Sequence, residues 1–309
     1  MGIAVHRGRH GLICHEEQDE TIGASLRIYG EWAEEEIYFL SAFIDAGAVV
    51  LDTGANVGTH ALAFSRFAGA RGLVIAIDAQ ERMHDLLVLS VALNAGENVR
   101  CIRTIVGRET GVRFVPPECH QARTNFGAVS YVDSSAKSDR ASGLVPLSMI
   151  TVDDLSLEGC DLMKIDVEGM ELDVLLGAVE TIARYRPPIY FEQAREERFA
   201  ETFEFFQRSH YSLFWHVSDP FNRNNFRRHA ENIFGGTREI NVVAIPREKM
   251  ERWRQQTSPL RPIAGPRYDP PSRQGSVIGW ALPEAAYDHL APVGVSPLAK
   301  LVAETIAPS

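Results

Sequence analysis

Cysteine is scarce in this 309-residue chain, and its four copies, Cys14, Cys101, Cys119 and Cys160, form no C-x-x-C pair. That excludes a zinc knuckle or a disulfide framework and suits reduced thiols in a cytoplasm. Long hydrophobic runs are also missing. None reaches the ~20 residues that a bilayer span requires. The opening MGIAVHRGRHGLICHEE meets its charges before any apolar h-region, so no secretory signal is expected. Basic residues are outnumbered, 31 Lys and Arg against 41 Asp and Glu, a formal charge of −10. A uniformly acidic surface repels phosphate backbones, which argues against nucleic acid as a partner. Repeats and low-complexity tracts are absent. What is present, 45% apolar and 23% charged residues, describes an ordinary globular chain with ample core.

Strands and helices alternate along most of its length. EWAEEEIYFLSAFIDA (31–46) predicts a helix with Ile37, Leu40 and Ile44 on one face and Glu34, Glu35 and Glu36 near its positive end. The strand AVVLD, the turn TGANVG and the helix THALAFSRFAG follow. LVIAID (73–78), a helix over 82–96 and a third strand VRCIRTIVG (99–107) repeat the rhythm. Residues 108–150 interrupt it with short strands (GVRFVP, GAVSYV, LVPLSMI), an inserted β region. Alternation resumes with DLMKID (161–166), a helix over 169–184, IYFE (189–192) and a helix over 195–208. YSLFWHV (211–217) and INVVAI (240–245) close the pattern without a helix between them, as an antiparallel pair expected at one sheet edge. Near-continuous apolar strands alternating with helices predict a doubly wound, mostly parallel α/β sheet.

In such a sheet ligands sit beyond the carboxyl ends of the strands. The first turn reads Asp52-Thr53-Gly54-Ala55-Asn56-Val57-Gly58. A nicotinamide fingerprint in this register needs glycine at 56 and 59, where Asn56 and Thr59 stand. The Gly-Lys-Ser/Thr ending of a phosphate loop is missing too. An acid on the last strand residue would repel a pyrophosphate but suits the ammonium end of S-adenosylmethionine. Gly54, Ala55, Asn56 and Gly58 let the backbone approach such a ligand closely. Asp78 ends the second strand, where an acid can accept hydrogen bonds from ribose hydroxyls.

VVLDTGANVGTHALAFSRFAG, TVDDL, DLMKIDVEGMELDVLLGAVETI and PPIYFE together resemble the FkbM-type S-adenosylmethionine-dependent methyltransferases. LRIYGEWAEEE resembles the family's lead-in and INVVAIP its closing strand, so the likeness covers residues 20–246. It implies a Rossmann-like, seven-stranded methyltransferase sheet with a β insertion and an N-terminal helical lead-in. It also implies O-methylation, since relatives methylate hydroxyls of sugars, glycolipid signals and macrolide polyketides. One departure stands at Asp78-Ala79-Gln80, where the family commonly has an acid followed by proline. Three segments result: a lead-in (1–47), a methyltransferase domain (48–246) and an appendage (247–309) that wraps the core or serves an oligomer contact.

Methyl transfer to an alcohol needs an aligned acceptor oxygen and a general base or a metal. Asp166 is expected as the base or the group that orients one, followed by Glu192, with Glu168 and His216 as further catalytic candidates. Glu168 equally suits capping a helix that begins at Gly169, and His216 equally suits a core position. Asp166 and Glu192 are also the expected Mg²⁺ ligands if a divalent metal is used, which the sequence leaves open. Lys164, unusual in a central strand, is expected to pair with Asp52 or Asp166. For a small-molecule or carbohydrate acceptor, Asn125 and the loop residues Arg223, Asn225 and Arg227 are the binding candidates. A protein or nucleic-acid methyltransferase and a cofactor-binding scaffold without turnover remain alternatives. Against the nucleic-acid reading, Pro187-Pro188-Ile189-Tyr190 lacks the leading Asn or Asp of a base methylase motif.

Overall fold

The computed structural model describes residues 2–94, 96–115, 144–193, 196–271 and 280–300. Cys119, Asn125 and the GAVSYV segment lie outside the described residues.

The lead-in is not purely helical. It opens with an antiparallel hairpin, β1 (Ile3–Gly8) and β2 (Gly11–Glu16), in register from Ile3 opposite Glu16 to Gly8 opposite Gly11. Helices α1 (Ile22–Ile28) and α2 (Glu34–Ser41) follow. The helix expected over 31–46 starts later because Ala33 holds a left-handed conformation (φ 52°). Glu34, Glu35 and Glu36 do fill its first turn.

The central sheet then builds in βα steps: β3 (Val49–Thr53), α3 (Thr59–Ala68), β4 (Leu73–Asp78), α4 (Glu81–Leu93) and β5 (Val99–Arg103). The third expected strand breaks after Arg103. Its end, β6 (Ile105–Val106), joins β7 (Gly111–Val115) and β8 (Val145–Ile150) in a separate three-stranded sheet, the inserted β region. β9 (Leu162–Ile165) returns to the main sheet. The helix expected over 169–184 is split into α5 (Glu171–Leu176) and α6 (Val179–Tyr185). The break falls at Gly177, where a Cβ would stand 2.0 Å from the Gly107 carbonyl oxygen. β10 (Ile189–Glu192), α7 (Phe199–Arg208), β11 (Tyr211–Ser218) and β12 (Glu239–Pro246) complete the domain.

The order across the sheet is β5-β4-β3-β9-β10-β12-β11, and the five strands from β5 to β10 are parallel. β12 runs antiparallel into the gap between β10 and β11, so the closing pair is antiparallel as expected but the last strand is internal. After α8 (Arg254–Thr257), a two-residue β13 (Arg261–Pro262) adds an eighth strand beside β11. Alternating side chains divide between two cores. Val50, Val74, Leu162 and Val243 pack on the face of α2, α3 and α4, while Leu51, Ile75, Met163 and Val242 pack on the face of α5 to α7. Residues 280–300 return to the lead-in, where Tyr287 donates to Glu34 Oε1 at 2.6 Å. Among the described residues no helix is long and apolar enough to cross a membrane.

Candidate functional site

The carboxyl ends of β3, β4, β9 and β10 meet at a cavity of about 290 Å³. Its floor is the turn after β3. Gly54 and Ala55 donate their N–H groups to the Ile77 carbonyl at 2.8 and 3.0 Å, which lashes the turn to β4. Gly54 has φ +79°, and a Cβ there would lie 1.7 Å from the carbonyl oxygen of Asp166. Only glycine allows the two strand ends to approach this closely. Asn56 is left-handed (φ 50°), with its side-chain oxygen accepting from the Val57 N–H at 2.8 Å. At the other end of the turn, Gly58 (φ +95°) sits against Leu87 of α4.

Asp78 is oriented by two backbone amides. Asn56 N–H donates to Oδ2 and Gln80 N–H to Oδ1, both at 2.9 Å. So oriented, its carboxylate lines the cavity wall. Beyond it a smaller hollow of about 50 Å³ continues between Ala79, Ile105, Val106 and Met170.

Lys164 lines the cavity and faces two acids. Its Nζ is 3.2 Å from Asp166 Oδ2 and 3.5 Å from Asp52 Oδ1. The register of β3 on β9 sets Asp52 directly beside Lys164. Burial opposes the lysine's charge, but Asp166, Asp52 and Glu36 hold its pKa above the ordinary value. Asp52 is fully buried, neither of its oxygens accepts a hydrogen bond, and it is not part of the cavity lining. It lies beneath the floor as a counter-ion to Lys164, away from the position expected for an acid that meets the ligand directly.

Asp166, Glu168 and Glu192 converge. Each offers an oxygen, and these atoms lie within 4.8 Å of one another, a set that suits a hard divalent cation such as Mg²⁺. Glu168 does not cap α5, because Glu171 Oε1 accepts the Gly169 N–H at 2.8 Å. It holds a left-handed backbone (φ 53°), which a non-glycine residue adopts only when its surroundings enforce it. Burial, then Asp166 and Glu171, push its pKa up to about 7. Glu192 goes further, to about 10, through burial and the charges of Asp166, Glu168, Glu239 and Glu171.

Other sequence candidates are placed elsewhere. His216 is a core residue, stacked on Phe39 with ring centroids 4.2 Å apart and hydrogen-bonded through Nδ1 to the Tyr190 hydroxyl at 2.7 Å. Burial lowers its pKa to about 4, against a smaller opposing effect of Glu36. Of the loop residues, Asn225 is fully buried and serves the loop itself, bonding to Asn222 and His229. Arg223 and Arg227 are exposed, tied by their backbone N–H groups to Trp280 and Tyr29. None of the three lines the cavity. The structure instead adds residues that the sequence reading missed: Trp32 and Glu36 from the lead-in, and Thr59 and His60 at the start of α3.

Residues 52–213, just over half of the chain, match the model of the methyltransferase FkbM domain. No curated protein sequence matches. Among solved structures, the chain is similar to a precorrin-6y C5,15-methyltransferase from Geobacter metallireducens (11% identity, 68% of this chain, 84% of that one, TM-score 0.43). A methyltransferase FkbM from Methylobacillus flagellatus is also similar (15% identity, 65% of this chain, TM-score 0.42). This chain covers 44% of the length of that protein. An S-adenosylmethionine-dependent O-methyltransferase from Thermotoga maritima follows at 12% identity, 78% and 77% coverage and TM-score 0.38. With its glycine turn, its two acid-tipped strands and the domain match, the chain belongs to the FkbM methyltransferase family.

Proposed function

We propose that this chain transfers a methyl group from S-adenosylmethionine to a hydroxyl of a small-molecule acceptor, such as a sugar, a glycoside or a polyketide-type natural product. The observation that carries this reading is the Gly54 turn pressed against Asp166, with the Asp78 carboxylate fixed beside it by two backbone amides on the cavity wall. Asp78 is the group for the ribose hydroxyls, and Ala79, Ile105, Val106 and Met170 give the adjoining hollow an apolar wall for a flat base to lie against. When bound, the donor supplies a methyl carbon on a positively charged sulfur.

The chain's own residues do the rest. A cavity walled by carboxylates favours a cationic ligand over a phosphorylated one. Asp166, anchored by Lys164, orients the reacting groups. Glu168 is the proton acceptor for the hydroxyl, since its pKa near 7 suits a general base at neutral pH. Burial and the neighbouring acids favour the protonated form of Glu192 at that pH, in which it can serve as a hydrogen-bond donor. Should a divalent cation be used, Asp166, Glu168 and Glu192 would hold it, and it would supply Lewis-acid chemistry in place of the base. Free thiols at Cys14, Cys101 and Cys160 support a cytoplasmic setting.

The test is turnover with the methyl donor against sugars, glycosides and polyketide alcohols, with and without EDTA. Methyl ether product from a member of that panel is expected. Methylation confined to peptides or oligonucleotides would overturn the acceptor assignment, and loss of turnover in EDTA would select the metal-assisted route.

A further inference from the structure

The glycine turn on β3 and Asp78 on β4 lie on one side of β9 in the sheet, and β10 and β12 lie on the other. On that second side the cavity is lined by Trp32, Glu36, Glu192, Glu239 and Asn241. The register sets Asn241 of β12 directly beside Glu192 of β10. Glu239, two residues before Asn241, shares its face of the strand. Asn241 is 4% exposed and Glu36 5%. The two are joined, since Asn241 Nδ2 donates to Glu36 Oε1 at 2.9 Å, and the Ser218 hydroxyl donates to the same oxygen at 2.6 Å. The amide nitrogen of Asn241 is thus spent on a carboxylate, and among the described residues its Oδ1 accepts no hydrogen bond. A buried amide oxygen on a cavity wall, without a donor of its own, is a place for a ligand's N–H or O–H.

The rest of this wall also lacks spare positive charge. Among the described residues the cavity lining holds six carboxylates and one lysine, and Lys164 is already shared by Asp52 and Asp166. His60 faces Glu36 Oε2 at 3.6 Å. Trp32 adds an aromatic ring, held edge-on to Phe234 with centroids 5.6 Å apart. An open acceptor, negative charge and an aromatic ring together select a cation that carries several N–H groups.

We propose that this wall is the acceptor subsite and that it takes an amino sugar, held by its protonated amine between Trp32, Glu36, Glu239 and Asn241. The inference rests on the reading of the chain as a small-molecule O-methyltransferase and narrows its acceptor to a cationic carbohydrate. The ammonium group donates to Asn241 Oδ1 and to the carboxylates of Glu36 and Glu239, beside the Trp32 ring. Hydroxyls around the sugar supply donors for the other acids. Protonation occupies the nitrogen lone pair, so the nitrogen is the anchor and a hydroxyl of the same molecule is the nucleophile. The donor's C–S bond breaks as the methyl carbon bonds to that oxygen, and the hydroxyl proton passes to Glu168. An anchor at Asn241, next to Glu192, sets the sugar against the residues assigned to this chemistry.

Turnover with a radiolabelled methyl donor tests this on matched acceptors: methyl glucosaminide and methyl galactosaminide, their N-acetyl forms, and the parent methyl glucoside and galactoside. For the amines kcat/KM is expected to exceed that for the N-acetyl forms roughly ten- to a hundredfold, the scale of a charge-assisted hydrogen bond, with the methyl group on oxygen. Glu36→Gln is expected to cut the amine-to-acetyl ratio roughly tenfold, and Trp32→Ala roughly threefold. The ratio is taken within one preparation, so any loss of folded protein cancels from it. Equal kcat/KM for the amine and N-acetyl forms, or a ratio unchanged in both variants, would overturn the subsite and leave sugar O-methylation standing. A methyl group found on nitrogen would overturn it too, as would ethers formed only from polyketide alcohols. No methyl ether from any alcohol would bring down the O-methyltransferase reading and the subsite with it.

Discussion

Lys164 Nζ lies 3.5 Å from Asp52 Oδ1 on the neighbouring strand, and both side chains are buried. The same ammonium group is 3.2 Å from Asp166, so one buried cation joins the floor of the glycine turn to the acid at the end of β9. Removing it strands a fully buried carboxylate. Lys164→Met is expected to destabilise the chain by about 3–5 kcal/mol in denaturant titration and to weaken donor binding. Asp52→Asn in the same chain should recover part of the stability. An unchanged donor Kd in Lys164→Met would show that the pair does not shape the site.

Gly54→Ala puts a methyl group where the Asp166 carbonyl stands. Strain of about 1–3 kcal/mol or more is expected, with the two strand ends forced apart. Donor affinity should drop below detection while circular dichroism still reports a folded α/β chain. Normal affinity in this variant would mean that the close approach is not part of the binding surface.

Asp78→Asn replaces an oxygen that accepts a backbone N–H with an amide donor or its rotated equivalent, disturbing both Asn56 and Gln80. Nucleoside affinity is expected to fall roughly tenfold or more, a loss of one charge-assisted hydrogen bond or two. The loss should be the same for S-adenosylhomocysteine and 5′-methylthioadenosine, because both carry the ribose. Calorimetry with the two ligands checks this.

Glu168→Gln keeps the shape of the side chain and removes its basicity. Turnover is expected to fall by about 10²–10⁴, the range typical of a lost general base, with donor affinity retained. Near wild-type turnover would remove Glu168 from the chemistry and return attention to Asp166.

His216 gives a pH dependence of stability. Its folded pKa, about 4, is below the unfolded value of about 6.5, so the unfolded chain binds the extra proton between these limits. The depressed pKa means that its contribution is fully present above pH 6.5 and is lost as the pH falls towards 4. The loss is about 3 kcal/mol. Unfolding free energies measured across that window should fall less steeply in His216→Gln than in wild type. Parallel slopes would contradict the buried neutral histidine.

The βα rhythm was legible because strands such as LVIAID are apolar throughout and are bounded by glycine turns. The acids at 78, 166 and 192 were legible because they stand at strand ends, where this fold collects ligands. The N-terminal hairpin was harder to see. Its burial depends on Ser90 and Asn94 of the α4 region, which bond the backbone of Cys14 and Leu12 across more than seventy positions of sequence. Glu36 reads locally as a helix-dipole partner, and only the fold brings it against His60. His60 itself sits in an ordinary amphipathic helix pattern. The arginine and asparagine loop was misleading for a related reason. Its amides bond within the loop and to the lead-in and tail, contacts that composition does not reveal. Asp52 was expected to touch the ligand because it ends the first strand, but its side chain points under the floor to Lys164.

The most direct test of the account is calorimetric titration of the wild-type chain with S-adenosylmethionine and S-adenosylhomocysteine, with NAD as the control. Saturable binding of both sulfur nucleosides at one site per chain, and none of NAD, is the expected result. Tight NAD binding with no heat from either sulfur nucleoside would contradict it.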